Sequence, residues 1–574
     1  MDFMKRKIWL IFSACLITAA AALAQQDTLM PETLPPDSTY IDTGIYVSTA
    51  GNDTTGNGSY AAPFRTVARA LQNADSGSVI TLRGGIYNEM VEIDQPGITL
   101  RSAWGEWAHI SNPTTNEAIH SSVYLDLNAR HTTLQRLEIS GGYYYGIKLE
   151  SAWGWGDEFA THVLIDGCRI HDSGRDCIKI TPGCDDVTIR RCQIYNSGQR
   201  DPSNADGIDN VNGDRCLVQD CHIHDIATNG LYFKGGATGC VAERCLVENT
   251  GAGGILVGFD TSPEWFDTLA NPNYYENIYG VVRNCIVRNT TYDGIGIYCA
   301  YHPKIYNNTI INTASSAHSP IYFGLSYQDW EPHNGRPPTV APEIKNNICY
   351  QGPGYPATMV YIRYSTDLGG MRALSGMPAM ERNRYFRSGG PANFEDRRPE
   401  SLYSGNLAGW RTHIGGDYRS LEADPLLDGA GHLTSASTCI DSAEATVYVS
   451  YDYDRAWRYG LGDIGADEYG AGGVAFFDNQ PVTPTLRIQS RPNPFSAFTR
   501  VQFELPAGGR LRAAVYNIAG QKVRLLVDKD MPAGTHAVNW DGRDERGRNL
   551  PTGAYLLMME SRSCTYRLKL LKIE

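Results

Sequence analysis

The sequence predicts an all-β protein, built as a parallel β-helix (a solenoid) with a small β-sandwich at its C-terminus. Short segments of alternating apolar and polar residues recur without helices between them, which is the pattern of half-buried strands. They repeat at intervals of about 22–25 residues, and a repeat of that length indicates one coil of a solenoid. The 574 residues include 59 glycines and 34 tyrosines, and only 20% are charged. This composition suits strands joined by many tight turns.

The repeat is clearest in five segments that share one cysteine position and precede a turn and a second short strand. These segments read VLIDGCRIHDSG from Val163, VTIRRCQIYNSG from Val187, LVQDCHIHD from Leu217, VAERCLVENTG from Val241 and VVRNCIVRNT from Val281. Equivalent residues of stacked coils lie about 4.8 Å apart. We therefore expect one column formed by Cys168, Cys192, Cys221, Cys245 and Cys285. Its members are expected to pack as small apolar side chains rather than to form disulfides.

The charge and the N-terminal segment argue against two classes of protein. The formal net charge of −13 argues against a nucleic-acid-binding protein, which would present a basic face. Lys5 to Lys7 precede an apolar run that ends at Ala22-Leu23-Ala24, the pattern of a cleaved signal peptide. We therefore expect a signal peptide over residues 1–24, a linker over 25–44, and an exported chain without a transmembrane segment. We expect this chain to be a monomer.

Both ends of the repeat region resemble a known superfamily. The stretch YVSTAGNDTTGNGSYAAPFRTVARALQ from Tyr46 resembles the opening of the pectate-lyase-like right-handed β-helix superfamily. ADPLLDG from Ala423 and GDIGADEYG from Gly462 resemble the last coils of such proteins. The resemblance implies one right-handed parallel β-helix over residues 45–471.

The same resemblance implies a cap at the N-terminal end of the solenoid. We expect an amphipathic helix over about Phe64 to Asn73 that covers the end of the apolar core. Two insertions interrupt the coils, one from Phe259 and one over about Asp367 to Arg419. Long loops on a rigid solenoid are expected to wall a binding groove.

The C-terminal region follows a Gly- and Pro-rich linker over residues 472–487. Residues 488–574 read as alternating strands separated by turns. Their motifs NPF, VYN, WDG and PTGAY resemble the type IX secretion sorting domain and the flagellar-hook-cap-type Ig-like domain. The resemblance implies a sorting or anchoring role, with the secretion machinery as partner and the cell surface or the medium as destination. The alternative is an accessory carbohydrate-binding sandwich.

The second strand of several repeats carries polar residues at outward-pointing positions. In successive coils these are Lys148 and Glu150, then Lys179, then Asp209, then Tyr232 and Lys234. Lys148, Glu150, Tyr232 and the nearby Trp155 are candidate substrate-binding residues, because lysines bind carboxylates and aromatic faces stack on sugar rings. Alternatively, the lysines only form structural ion pairs with acids of neighbouring coils, as Lys179 would with Asp209.

Asp176, Asp206 and Asn229 occupy the corner that precedes three of these strands. Two carboxylates about 5 Å apart repel each other, which raises one pKa or recruits a cation. Asp176, Asp206 and Asp209 are therefore candidate ligands for Ca²⁺, which prefers oxygen ligands. The alternative is that Asp and Asn at these positions only stabilise the turn.

The motifs NADG from Asn204 and NGLYFKGG from Asn229 resemble the active region of family-9 pectate lyases. The resemblance implies that Asp206 binds calcium and that Lys234 is the Brønsted base. With Lys179 and Asp209, Lys234 forms the candidate catalytic set. The implied reaction is β-elimination from an acidic polysaccharide that contains uronic acid. In that reaction a cation neutralises the sugar carboxylate and a base removes the C5 proton.

Two other functions are compatible with the sequence. A glycoside hydrolase would use two acids, for example Asp206 and Asp209, as acid and base. Three strand residues separate these by about 10 Å, which exceeds the usual separation in inverting enzymes unless the side chains converge. A non-catalytic surface protein that binds glycan needs only the solenoid and the sorting domain.

Overall fold

The computed structural model describes residues 44–574 except 155, 328–334, 445–448, 457, 459–461, 471–488, 492–494, 506–508, 518–521, 533, 562–563 and 573–574. The expected signal peptide, nearly all of the first linker, the whole second linker and Trp155 lie outside the described residues. The chain divides into two compact units, residues 1–477 and 478–574. Among the described helices, none has the length and apolar character needed to cross a membrane.

The first unit is a right-handed parallel β-helix, as the repeat predicts, and each coil visits three long sheets in the order A, C, B. Sheet A consists of Ile45–Val47, Val79–Leu82, Thr99–Ser102, Thr133–Gln135, Leu164–Asp166, Thr188–Arg190, Leu217–Gln219, Val241–Glu243, Val281–Arg283, Lys304–Tyr306, Glu343–Lys345 and Ala379–Glu381. Sheet B consists of Val91–Ile93, Ser121–Leu125, Tyr145–Leu149, Ile178–Ile180, Ile208–Val211, Leu231–Lys234, Ile255–Val257, Ile295–Tyr298, Ile321–Gly324, Thr358–Ile362, Asn393–Asp396 and Tyr403–Gly405. Sheet C consists of Gly85–Tyr87, Ala108–Ser111, Leu137–Ser140, Arg169–His171, Gln193–Tyr195, His222–Ile226, Leu246–Thr250, Ile286–Thr290, Thr309–Ile311, Ile348–Gln351, Arg384–Arg387 and Leu421–Glu422.

Two smaller sheets accompany the long ones. A five-stranded sheet consists of Ala237–Thr238, Asn277–Ile278, Ala300–Tyr301, Thr339–Val340 and Leu374–Ser375. A short hairpin pairs Tyr364–Ser365 with Met371–Arg372. Pairing within the three long sheets is parallel except at the end of sheet B, where Tyr403–Gly405 runs antiparallel to Asn393–Asp396.

The corner between sheets A and C explains the residue that precedes each repeat cysteine, which is Gly167 in the first coil and a polar residue in the other four. Arg191, Asp220, Arg244 and Asn284 occupy this corner with φ between 53° and 55°, in the left-handed region. Asp and Asn enter this region more readily than most residues. The N–H of the corner residue bonds the next coil, as from Arg191 N to Gln219 O at 3.1 Å. The chain thus turns sharply without leaving that backbone donor unpaired.

The residue after this corner points into the core and forms the expected cysteine column. Its five members are buried free thiols, at equivalent places in coils paired by strand register: Cys168, Cys192, Cys221, Cys245 and Cys285. Asn308, Asn347 and Asn383 continue the column. Asn308 Nδ2 donates to Asn347 Oδ1 at 2.9 Å, and Asn347 Nδ2 donates to Asn383 Oδ1 at 3.0 Å. Because the amides satisfy one another, polar residues extend an otherwise apolar core.

The N-terminal end carries the expected cap helix, but it is shorter than expected. The helix spans Val67–Gln72 and begins after Thr66, whose Oγ1 accepts a hydrogen bond from Arg69 N at 3.1 Å. Phe64 lies before the helix, where it is buried and bridges to Val47. Phe64 therefore packs in the apolar core from an extended segment and not from the cap helix.

The prediction that Asp367 to Arg419 form a second insertion is wrong. It contributes the strands Ala379–Glu381, Arg384–Arg387 and Asn393–Asp396 to sheets A, C and B, and so completes a coil. The helix Leu407–Ile414 follows, capped by Asn406, whose Oδ1 accepts from Gly409 N at 3.0 Å. Many glycines and arginines hide the strand alternation in this stretch. Among the described residues, two short 3₁₀ turns complete the helical elements, Pro263–Trp265 and Pro399–Ser401.

The second unit is an antiparallel β-sandwich. One sheet consists of Gln489–Arg491, Thr499–Leu505 and Gly534–Trp540, and the other of Gly509–Tyr516, Lys522–Met531, Gly553–Ser561 and Cys564–Lys572. Its core includes Phe503, Trp540 and Leu557. The ring of Trp540, from the first sheet, lies 5.1 Å from the ring of Tyr555, from the second. The predicted fold class is therefore confirmed for both units.

Candidate functional site

The outward-facing side chains of sheet B form one column along the solenoid. Strand register pairs Lys148 with Lys179, Lys179 with Asp209, and Asp209 with Tyr232. Lys234 pairs with Val211, two residues further along the strand that carries Tyr232. The structure thus brings together residues that lie far apart in the sequence.

A groove of about 550 Å³ lies over this part of sheet B. Lys148, Lys179 and Lys234 line it, together with the acids Glu150 and Asp260. The insertion that starts at Phe259 supplies one wall. Trp153 Nε1 donates to Glu264 O in this insertion at 2.9 Å, and Asn212 Nδ2 donates to Trp265 O at 2.7 Å. Three lysines that share one groove suit an anionic ligand.

Lys148 and Glu150 are not independent groups. Lys148 Nζ lies 2.6 Å from Glu150 Oε2, and Tyr124 Oη donates to the same oxygen at 2.9 Å. Burial opposes the charge on Glu150, but Lys148 and Tyr124 lower the pKa of Glu150 overall. Glu150 is therefore an ionised group that orients Lys148 rather than a proton donor.

Lys179 forms an ion pair with Asp209 across two adjacent coils. Burial opposes its charge, yet the carboxylates of Asp209 and Asp176 raise the pKa of Lys179. In the same way, Lys179 and Lys234 lower the pKa of Asp209 against the effect of burial. Lys179 therefore stays protonated, so it can supply positive charge but cannot accept a proton.

Asp176, Asp206 and Asp209 meet in a buried cluster, in which one oxygen of each carboxylate lies within 4.8 Å of the others. The corner residues also join successive coils. Asp176 Oδ1 accepts from Asp206 N at 2.8 Å, and Asp206 Oδ1 accepts from Asn229 N at 2.9 Å. The turn-stabilising alternative is thus partly correct, although these bonds run between coils and not within one turn.

The separation of Asp206 and Asp209 differs from the 10 Å expected from the sequence. The estimate followed the strand backbone, whereas the side chains converge from a corner and from the strand that follows it. Both residues are at most 3% exposed, and neither lines the groove. An acid and a base that act on a glycosidic bond need room for sugar and water between them. This pair does not provide that room.

The cluster carries more negative charge than its side chains balance. Burial and the carboxylates of Asp209 and Asp206 raise the pKa of Asp176 well above its usual range. Burial and Asp209 also raise the pKa of Asp206. Asp209 Oδ1 is buried, and no described group donates a hydrogen bond to it. Three carboxylates beside the two ammonium groups of Lys179 and Lys234 therefore fit a hard divalent cation such as Ca²⁺, which binds carboxylate oxygens.

Lys234 lies over an aromatic floor. Its Nζ is 4.3 Å from the centre of the Tyr232 ring and 5.8 Å from that of Phe259. The strand ends directly after it, because Gly235 and Gly236 have φ of 72° and 97°, in the left-handed region. The amine is thereby held at the end of a strand and beside the groove.

Glu276 was not predicted from the sequence, but it fixes the groove wall to this turn. It is fully buried, and its Oε2 accepts from Gly235 N at 3.0 Å and from Thr261 Oγ1 at 2.7 Å. Its Oε1 faces Arg336 Nε at 3.4 Å. Burial raises the pKa of Glu276 to about 7. A single acid in an irregular insertion has no periodic context, so no sequence pattern marks it.

Beyond Tyr232 the outward column of sheet B becomes apolar and aromatic. In register it continues through Leu256, Gly296, Tyr322 and Tyr361. Tyr322 stacks on His318, with ring centres 3.8 Å apart, and His318 Nδ1 bonds Asp293 Oδ1 at 2.6 Å. The polar site therefore borders an aromatic stretch that the sequence interpretation did not single out.

Comparison with protein-family models gives three matches. Residues 96–264 match the model described as right handed beta helix region, and residues 496–563 match FlgD Ig-like domain. Residues 49–98 match a family described as protein of unknown function. A search of curated proteins gives no match. The matches agree with the expected right-handed β-helix and with the Ig-like half of the C-terminal resemblance.

Several solved structures resemble the chain at low identity. Pectate lyase Pel9A is 15% identical, with a TM-score of 0.46 over 74% of this chain and 96% of that one. Alginate lyase from Paenibacillus sp. str. FPU-7 is 20% identical, with a TM-score of 0.36 over 48% and 89%. The A-module of Azotobacter vinelandii mannuronan C-5 epimerase AlgE4 is 13% identical, with a TM-score of 0.41 over 54% and 80%. Identities this low do not transfer an activity.

Proposed function

We propose that the protein is an exported polysaccharide lyase that cleaves a uronic-acid-containing glycan by β-elimination. The observation that carries this proposal is the grouping of Lys148, Lys179 and Lys234 along one groove, beside a buried cluster of carboxylates. The groove spans the adjacent coils that carry Lys148, Lys179 and Lys234, which suits a chain of several sugar units. A hydrolase is less consistent with the site, because Asp206 and Asp209 are buried together away from the groove.

Lys148 and Lys179 bind the sugar carboxylate. When the C5 proton leaves, negative charge grows on the adjacent carboxylate, and fixed positive charges stabilise the transition state more than the ground state. Asp209 and Asp176 keep Lys179 protonated, and Glu150 orients Lys148. The two amines are therefore held at fixed positions in the groove, from which they stabilise the growing charge.

Lys234 acts as the base. Its neutral amine accepts the C5 proton, the C4–C5 double bond forms, and the bond from C4 to the glycosidic oxygen breaks. The departing oxygen takes a proton from water. Lys234 has no carboxylate bonded to it among the described residues, in contrast to Lys179 and Lys148. Its amine shares the groove with Lys148 and Lys179, so it lies beside the sugar carboxylate that those lysines bind in this proposal. Tyr232 lies beneath it and holds the amine in place.

Asp176, Asp206 and Asp209 are the proposed calcium ligands. If the ion binds, it would supply further positive charge close to Lys179, beneath the groove. The protein contributes three carboxylates and keeps them within one coil spacing of Lys179. The signal peptide and the C-terminal sandwich direct the chain to the cell surface or the medium in this proposal.

A lyase assay on a panel of uronic-acid polymers tests the proposal. β-Elimination produces unsaturated ends that absorb ultraviolet light, whereas hydrolysis gives only new reducing ends. Lys234→Met should lower kcat by about 10²–10⁴-fold, the usual contribution of a positioned base. Its thermal midpoint should stay nearly unchanged, because a partly exposed lysine contributes little to stability.

The matched control is Lys345→Met. Lys345 lies on sheet A and pairs with Glu343 at 3.4 Å, so its loss removes the same charge outside the groove. This variant should keep full activity. Wild-type activity in Lys234→Met would overturn the assignment of the base. Polymer binding without either product would identify a glycan-binding protein instead of an enzyme.

A further inference from the structure

A second cluster of metal-ligating side chains lies on sheet C and not on the groove sheet. His109, Glu138 and His171 come from the successive strands Ala108–Ser111, Leu137–Ser140 and Arg169–His171. One ligand atom of each lies within 4.8 Å of the others. Glu138 Oε1 is 3.7 Å from His109 Nδ1 and 3.3 Å from His171 Nε2. One carboxylate oxygen therefore faces a nitrogen of each imidazole.

The other nitrogen of each imidazole is held by an orienting group. His171 Nδ1 bonds Asp172 Oδ2 at 2.8 Å, and His109 Nε2 bonds Ser140 Oγ at 2.7 Å. Metal-binding histidines commonly bond a carboxylate or another polar group through the nitrogen that does not bind the metal. The Asp172–His171 pair has that arrangement, and it fixes which nitrogen faces Glu138.

Aromatic stacking restrains the ring of His171. This ring stacks on Tyr195 at 4.7 Å with 11° between the planes, and Tyr195 stacks on His224 at 5.0 Å with 3°. Only about a tenth of the His171 side chain is exposed, whereas His109 and Glu138 are about a quarter exposed. The cluster is thus rigid on one side and open to solvent on the other.

We propose that His109, Glu138 and His171 form a three-ligand site for a divalent transition-metal ion, with Zn²⁺ as the best fit. Zinc bonds to imidazole nitrogen are about 2.0–2.1 Å long, and bonds to carboxylate oxygen are similar, so tetrahedral ligand atoms lie about 3.3–3.5 Å apart. The separations of 3.3 and 3.7 Å are close to this distance. Two neutral histidines and one glutamate leave a fourth position for water.

The charges around the cluster are balanced largely within it. Burial opposes protonation, but Asp172 and Glu138 raise the pKa of His171 to about 8. Burial lowers the pKa of His109, and the hydrogen bond from His171 lowers that of Glu138. The cluster therefore holds its carboxylate in the ionised form that a cation binds.

A neighbouring pair on the same sheet provides a matched control. His222 Nε2 bonds Glu248 Oε1 at 2.8 Å, which resembles the His171–Glu138 contact. Arg288 Nε, however, lies 2.6 Å from the other oxygen of Glu248. The guanidinium group already neutralises that carboxylate, so the pair offers a cation little attraction. His222→Asn thus removes a sheet C histidine outside the proposed site.

The test uses the full exported chain after chelator treatment, with Co²⁺ as a spectroscopic probe and Zn²⁺ as the competitor. We expect one Co²⁺ per chain with ligand-field absorption typical of low coordination number, displaced by Zn²⁺. Glu138→Gln and His171→Asn should each lower the affinity by at least about 100-fold. Glu138→Gln preserves shape at a partly exposed position, so its folding is secure. His222→Asn should bind as the wild type does.

Two results would overturn the proposal. One is the absence of a stoichiometric Co²⁺ spectrum at pH 8. The other is a spectrum and affinity that both site variants retain, which would place the ion elsewhere. The site is independent of the groove, so loss of lyase activity in these variants is neither required nor expected.

Discussion

Replacing Lys179 by methionine should destabilise the β-helix by about 2–3 kcal/mol at neutral pH. Two unit charges about 4 Å apart interact by about 4 kcal/mol at an effective dielectric constant of about 20. The side chain of Lys179 is 18% exposed and that of Asp209 is 5% exposed. Solvent screening therefore removes part of this energy, and the result lies between the values for exposed and for buried ion pairs.

The loss of stability should depend on pH with a definite sign. Raised pKa values mean that Asp176 and Asp206 bind protons more strongly in the folded than in the unfolded chain. Their protonation therefore favours folding at low pH, and this contribution is lost as pH rises through the folded-state values. Without Lys179, three carboxylates face one another, so the loss should be smaller at pH 5 than at pH 8. Added Ca²⁺ should stabilise Lys179→Met more than the wild type.

Calorimetry of the wild type, Lys179→Met, Asp209→Asn and the double variant measures these effects. The double-mutant cycle isolates the interaction of the pair, because each single change removes it without adding a new contact. A coupling energy below about 0.5 kcal/mol would put the pair in the range of surface ion pairs and refute the reasoning. A loss that does not change with pH would refute the proposed excess of negative charge in the cluster.

Three further predictions concern the scaffold, acid stability and export. Asn347→Ala should lower the free energy of unfolding by about 3–5 kcal/mol, measured by calorimetry, because the fully buried amide makes five hydrogen bonds. Against the effect of burial, His222 and Arg288 lower the pKa of Glu248 to about 2, so its stabilisation is present above about pH 4.3 and is lost as pH falls towards 2. Glu248→Gln should therefore flatten acid unfolding followed by circular dichroism. Deletion of residues 488–574 should leave the protein in the periplasm by cell fractionation, and normal release would contradict a sorting role.

The periodic pattern of the sequence made much of the strand arrangement of the solenoid predictable. The repeat cysteines fix the register of five coils, and that register also placed Lys179 beside Asp209 and Lys234 two residues beyond Tyr232. In later coils an asparagine replaces the cysteine. The Asn-Asn pair still marks the repeat in the sequence, because each coil needs the same corner residue and the same inward-pointing residue after it. The fold therefore followed from a pattern that each coil repeats.

Features that depend on side-chain direction were not predictable in this way. The carboxylates of Asp206 and Asp209 converge although their backbone positions suggest a wider separation. His109, Glu138 and His171 span coils whose first members lack the repeat cysteine, so their register was not visible. The stretch from Asp367 was interpreted as an insertion because its glycines and arginines interrupt the alternation of a regular coil.

The cysteine column has a consequence for the route by which the chain folds. Neighbouring coils lie about 4.8 Å apart, within the Cα separation that a disulfide can bridge. Five thiols cannot all form pairs, so a disulfide between two coils always leaves at least one thiol of the column without a partner. In the folded protein all five thiols are buried, so the core keeps them away from oxidants in the solvent. If the chain is exported as proposed, it meets oxidants before this core exists. Its folding then succeeds only when the coils bury their sulfur atoms faster than oxidation joins the wrong pair of cysteines.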